Sequence, residues 1–243
     1  MKYQFVDCRW VLGEPEQGRE LYDAGHIPGA SFLDVENDLS APPAKPGGRH
    51  PLPAPEDFAR AAGAAGIGAG VFVVAYDQGM TGGAARLWWL LRHFGHDEVA
   101  VLDGGIGVWL GPLRSGEEEI EPAEFEPRPR EDDTIEADEL HARLGERGLL
   151  LLDARAPERY RGEVEPIDPV AGHIPGARSL PYTEAFDVPE EAQAAEEVVV
   201  YCGSGITAAV DALALVRAGR EDVRLYPGSW SDWSSRGLPV ETG

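Results

Sequence analysis

Two stretches of this chain repeat one alternation of apolar runs and amphipathic segments. In the first, VFVVAY over 71–76 leads to AARLWWLLRHFG over 84–95 and then to VAVLDGG over 99–105. In the second, VVVY over 198–201 leads to TAAVDALALVRAG over 207–219 and then to VRLYPG over 223–228. Short runs of Val, Ala and aromatic residues predict buried strands, and the longer segments between them predict helices. That order points to an α/β protein in which each half forms a parallel sheet flanked by helices.

The repetition also holds at the level of single residues. GHIPGA occurs at Gly25–Ala30 and again at Gly172–Ala177, each time preceded by a short apolar strand ending in Asp-x-Arg, at Arg9 and at Arg155. A chain of 243 residues is longer than the roughly 100–150 of a typical domain, so a duplicated domain accounts for the length. Residues 1–112 and 134–243 are expected as the two domains, joined by a Pro- and Glu-rich linker over 113–133 with almost no apolar periodicity.

Composition narrows the possible partners. The formal net charge of −22 opposes nucleic-acid binding and makes the acidic surface a matter of solubility. No segment approaches the roughly 20 consecutive apolar residues that span a bilayer, so no membrane role is expected. The N-terminus runs straight into a strand without the basic and apolar regions of a secretory signal, from which a cytoplasmic location is expected. The only two cysteines, Cys8 and Cys202, sit at non-equivalent positions of the two copies. Neither a disulfide framework nor a metal centre is expected from them.

One difference between the copies carries chemistry. After Tyr76 the first copy has Asp77, whereas after Tyr201 the second has Cys202. Strand ends of open α/β sheets are where ligands bind, and Cys202 is predicted at such an end. Gly203, Ser204, Gly205, Ile206 and Thr207 then form a short loop opening into a helix, whose backbone N–H groups can converge on an anion. Such a nest favours a thiolate and makes Cys202 a candidate nucleophile. The alternative is a buried, inert cysteine of the kind common in cores. A cysteine phosphatase would need the loop C-x5-R, but Ala208 stands at the arginine position and the loop is one residue shorter.

These residues, with ARAPERYRGEVEP over 154–166, LDGGIGVW over 102–109 and YPGSWSDW over 226–233, resemble the tandem-domain rhodanese superfamily of sulfurtransferases. That family includes thiosulfate and 3-mercaptopyruvate sulfurtransferases, and the resemblance covers nearly the whole chain. It implies two rhodanese-like domains, the first inactive and the second catalytic, with Asp77 the vestige of a lost cysteine. It also implies a persulfide formed on Cys202 from a small anionic sulfur donor and passed to a thiol acceptor. A thioredoxin-like protein, a low-molecular-weight thiol or, in the laboratory, cyanide would serve. No organic cofactor or metal is implied.

The resemblance assigns further roles. Arg159 matches the family arginine that binds the donor's anionic end; the other reading is an ion pair with Glu163 or Glu165. Arg155 either braces the loop through Asp153 or touches substrate. CGSG at the loop is similar to the mercaptopyruvate enzymes, in which the serine is linked to a histidine and a carboxylate from the first domain. Ser204, His50 and Glu36, with Asp34 as a second candidate acid, occupy those positions; a local cap is the alternative for Ser204. The same enzymes carry a second arginine nine residues after the first, where this chain has Asp168. The donor therefore stays open between thiosulfate and 3-mercaptopyruvate. His26 and His173 occur in both copies and are read as structural, and Trp230 and Trp233 are expected near the rim of the site.

Overall fold

A computed structural model describes residues 2–243. The first half begins with β1 (Lys2–Asp7), α1 (Gln17–Ala24), β2 (Ser31–Phe32) and α2 (Pro55–Ala64), and continues with β3 (Val71–Tyr76), α3 (Gly83–His93) and β4 (Val99–Val101). The second has α4 (Ala137–Ala142), β5 (Leu149–Asp153), α5 (Pro157–Tyr160), β6 (Arg178–Ser179), α6 (Glu190–Ala194), β7 (Glu197–Tyr201), α7 (Ala208–Arg217), β8 (Val223–Leu225) and α8 (Ser229–Ser235). Each half builds one four-stranded sheet, in the orders β2-β1-β3-β4 and β6-β5-β7-β8. Every pairing is parallel, with Asp7 opposite Tyr76 and Asp153 opposite Tyr201. This is the α/β architecture that the pattern predicts, one parallel sheet flanked by helices in each half.

The compact units depart from sequence order at one segment. One unit comprises Met1–Ala41 with Leu52–Arg130, and the other Pro42–Pro51 with Glu131–Gly243. Pro42–Pro51, which includes His50, therefore packs with the second half although it lies in the first by sequence. Most of the segment read as a linker packs with the first half: Ala123 N–H donates to Gly63 O at 2.9 Å and Arg128 N–H to Phe94 O at 2.9 Å.

The repeated motifs are structural in both units. Arg9 binds Asp7 Oδ2 at 2.6 Å and donates to Gly25 O at 2.7 Å; Arg155 binds Asp153 Oδ2 at 2.6 Å and donates to Gly172 O at 2.6 Å. Each buried arginine thus ties a strand end to its GHIPGA turn by charge-assisted bonds. His26 and His173 donate from Nδ1 to Tyr22 O and Tyr160 O, both at 2.8 Å, and stack on the rings of those tyrosines. Trp230 and Trp233 are fully buried in the core of the second unit, not at a rim. A ring of that size removes most apolar area from water when enclosed, and their indole N–H groups find Val170 O and Pro239 O. Cys8 is buried, and burial pushes its thiol well above the usual range.

Candidate active site

Cys202 follows the last residue of β7 and is held by the segment that enters α8. Its N–H donates to Ser229 Oγ at 3.1 Å, while the N–H groups of Trp230 and Ser231 donate to Cys202 O at 3.0 Å and Gly203 O at 2.9 Å. The loop then curls so that Gly205 N–H donates to Cys202 Sγ at 3.1 Å. Gly205 has φ +83°, and a Cβ there would lie 2.6 Å from Pro227 O, so only glycine fits. Ile206 is buried, Thr207 is half-buried, and α7 starts at the next residue.

The corresponding loop of the first unit shows what such a curl binds. Asp77 Oδ1 accepts from Gly79 N–H and Met80 N–H, both at 2.8 Å, and Oδ2 accepts from Gly82 N–H at 3.2 Å and Ala84 N–H at 3.3 Å. Met80 there adopts φ 62°, as Gly205 adopts a positive φ in the second loop. Four backbone donors converge on one anionic side chain, which is the behaviour of a nest.

Residues 47–50 lie against the cysteine loop. Gly47 N–H donates to Asp232 Oδ1 at 2.8 Å and Arg49 N–H to Ser231 Oγ at 3.1 Å. A Cβ on Gly48 would lie 2.6 Å from Ser231 Oγ. So latched, the segment places buried His50 with Nδ1 2.7 Å from Ser204 Oγ, in a shared hydrogen bond. Burial works to raise the Asp232 carboxyl, but Arg236, Gly47 N–H and the Tyr226 hydroxyl hold it below its ordinary range. Ser231 and Asp232 are thus site-building residues that sequence reasoning passed over; the polar SWSD run inside an otherwise apolar motif was the available signal.

Of the other candidates, Arg155 is consumed by Asp153, Gly172 O and Glu165 Oε2, the last at 3.3 Å, and its guanidinium stacks 4.5 Å over the Trp230 ring. It braces the strand end. Arg159 binds Glu165 Oε1 at 2.7 Å and Asp168 Oδ2 at 3.2 Å. Its guanidinium still reaches the loop, since a Cβ built on Gly203 would lie 3.5 Å from Arg159 Nη1. Burial acts to raise Glu165, yet bonds from Arg159 and the backbone hold this carboxyl below the usual range. Asp34 is occupied in a turn of the first unit, accepting from the N–H groups of Glu36 and Asn37 at 2.9 and 2.8 Å. Glu36 is half-buried in that same unit. Among the described residues no group of three or more His, Cys, Asp or Glu side chains could hold a metal ion. No helix among them is long and apolar enough to cross a membrane.

Comparison with known proteins fits this geometry. The family model described as Rhodanese-like domain matches residues 1–111 and 136–236. A Pseudomonas aeruginosa protein named as a 3-mercaptopyruvate sulfurtransferase is 45% identical over 260 residues, covering 98% of this chain and 92% of that one. A Mycobacterium tuberculosis protein named as a thiosulfate sulfurtransferase, SseB, is 40% identical over 254 residues, covering 95% and 87%. The crystal structure of the Escherichia coli 3-mercaptopyruvate sulfurtransferase SseA superposes with a TM-score of 0.78 at 33% identity, covering 94% of this chain and 93% of that one.

Proposed function

The chain belongs to the rhodanese-like family and is a sulfurtransferase, and from that premise we propose that it moves sulfur from 3-mercaptopyruvate through a persulfide on Cys202. The observation that carries the donor is the 2.7 Å contact between His50 Nδ1 and Ser204 Oγ, two residues beyond the nucleophile. The deprotonated Cys202 sulfur attacks the donor's sulfur; a new S–S bond forms as the donor's C–S bond breaks. The electron pair of that bond leaves on carbon as the enolate of pyruvate, which needs a proton. A hydroxyl hydrogen-bonded to an imidazole is a competent relay for it. The resemblance adds a carboxylate to the relay, Glu36 in this chain, and Glu36→Gln tests that assignment.

The persulfide then rests on the loop's N–H groups, as the Asp77 carboxylate rests on those of the first unit. Arg159 binds the donor's anionic end, and an acceptor thiol, low-molecular-weight or on a thioredoxin-like protein, takes the sulfur. Cyanide serves in an assay. Thiosulfate is the second reading, favoured by the name of the Mycobacterium tuberculosis relative. Its leaving group, sulfite, needs no relay. The deciding experiment is steady-state turnover with each donor: the proposal expects mercaptopyruvate to give the higher kcat/KM, and a higher value for thiosulfate overturns it. Persulfide loading by a protein partner, with negligible turnover of either small donor, would instead mark a carrier.

A further inference from the structure

We propose that Arg49 is a second donor-binding cation beside Arg159, and that the Asp168 carboxylate occupies both guanidinium groups until the donor's anionic end displaces it. This rests on the reading of Cys202 as the acceptor of sulfur from an anionic donor.

Asp168 bridges the two arginines. Its Oδ2 accepts from Arg159 Nη2 at 3.2 Å and its Oδ1 from Arg49 Nη1. Both cations also reach the cysteine loop: a Cβ built on Gly203 would lie 3.0 Å from Arg49 Nη2 and 3.5 Å from Arg159 Nη1. Gly203 adjoins Cys202, and its missing side chain leaves room for the Arg49 guanidinium, with that of Arg159 in contact range, beside the cysteine loop. A carboxylate held by two planar guanidinium forks is the arrangement that an anionic donor would require. Asp168 therefore stands where the donor's charge belongs, within its own chain.

The surrounding bonds decide which partner yields. Arg49 is fixed through its backbone on Ser231, and its Nε is buried without a hydrogen-bond partner, leaving a donor to spare. Glu165 is anchored by Arg155, Arg159 and the N–H groups of Ile167 and Asp168. Burial, joined by the charge of Glu165, pushes the Asp168 carboxyl up against the pull of both arginines, whereas Glu165 is held down. Of the two acids, Asp168 is the one whose charge is poorly solvated. A donor carboxylate in its place meets the same two guanidinium groups, and the pair of arginines offsets locally a net charge of −22 that repels anions.

The test compares alkylation of Cys202 by iodoacetate, which is anionic, with iodoacetamide, which is neutral, read by peptide mass in wild type, Arg49→Gln and Asp168→Asn. The ratio of the two rates reports attraction of an anion to the sulfur and does not depend on sulfur transfer. The proposal expects the ratio to fall about tenfold in Arg49→Gln and to rise about tenfold in Asp168→Asn, the scale of one charge-assisted hydrogen bond. Donor KM should move oppositely, up in the first and down in the second. A ratio within twofold of wild type in Asp168→Asn overturns the proposal, even if Arg49→Gln fails to fold. Ratios that shift as stated in a protein that accepts sulfur from neither donor would uphold the anion site and sink the donor reading instead.

Discussion

His50 Nδ1 lies 2.7 Å from Ser204 Oγ, although the two residues come from opposite ends of the chain. The contact exists because residues 47–49 are latched to Ser231 and Asp232 at the head of α8, the helix that also holds the cysteine loop. One short helix thereby aligns the cysteine loop with the His50–Ser204 pair.

Ser204→Ala and His50→Asn should separate the two donors. With mercaptopyruvate, loss of the proton relay is expected to lower kcat about ten- to a hundredfold, toward the low end of what general acid–base catalysis supplies. Turnover with thiosulfate should change by less than about threefold, since sulfite leaves without a proton. Equal losses with both donors would mean that Ser204 and His50 only shape the loop.

Asp77→Asn should destabilise the first unit without altering turnover per folded molecule. The carboxylate satisfies four backbone N–H groups, and an amide presents a single acceptor oxygen with no charge. A loss of about 1–3 kcal/mol is expected in urea denaturation. An unchanged midpoint would show that the nest is indifferent to charge, which would also weaken the assignment of the matching Cys202 loop as the seat of the persulfide.

Asp211 makes stability depend on pH. It is fully buried in α7, neither of its carboxylate oxygens has a hydrogen-bond partner within the protein, and burial raises its carboxyl well above the ordinary range, with the charges of Cys202 and Asp153 adding to it. The folded state therefore holds this proton more tightly than the unfolded state. Above an unfolded value near pH 4 its contribution to stability falls as pH rises, until the folded value is passed. Asp211→Leu should accordingly stabilise the protein by about 1–3 kcal/mol near neutral pH, and by less at pH 4.5. A gain that is the same at both pH values would remove Asp211 from this account.

The doubled α/β architecture could be read from local features, because buried strands, Asp-x-Arg ends and GHIPGA turns each state their structure within a few residues. The Cys202 loop could be read for the same reason: its glycines and its strand-end position are local. What sequence alone did not show was long-range pairing. The packing of Pro42–Pro51 with the second unit depends on hydrogen bonds from Gly47 and Arg49 to Asp232 and Ser231, and no periodicity announces them. Asp168 stands where the related enzymes carry an arginine, and its pairing with Arg49 does not show in the sequence because the two lie far apart in it. Trp230 and Trp233 were misplaced for a related reason, since two tryptophans beside a catalytic loop look alike whether they line it or lie beneath it.

The most direct measurement is the intact mass of the protein after incubation with 3-mercaptopyruvate, in wild type and in Cys202→Ser. A persulfide on Cys202 predicts a gain of about 32 Da in wild type, reversed by a thiol and absent from the variant. No gain in wild type, or a gain that survives in Cys202→Ser, would contradict the account.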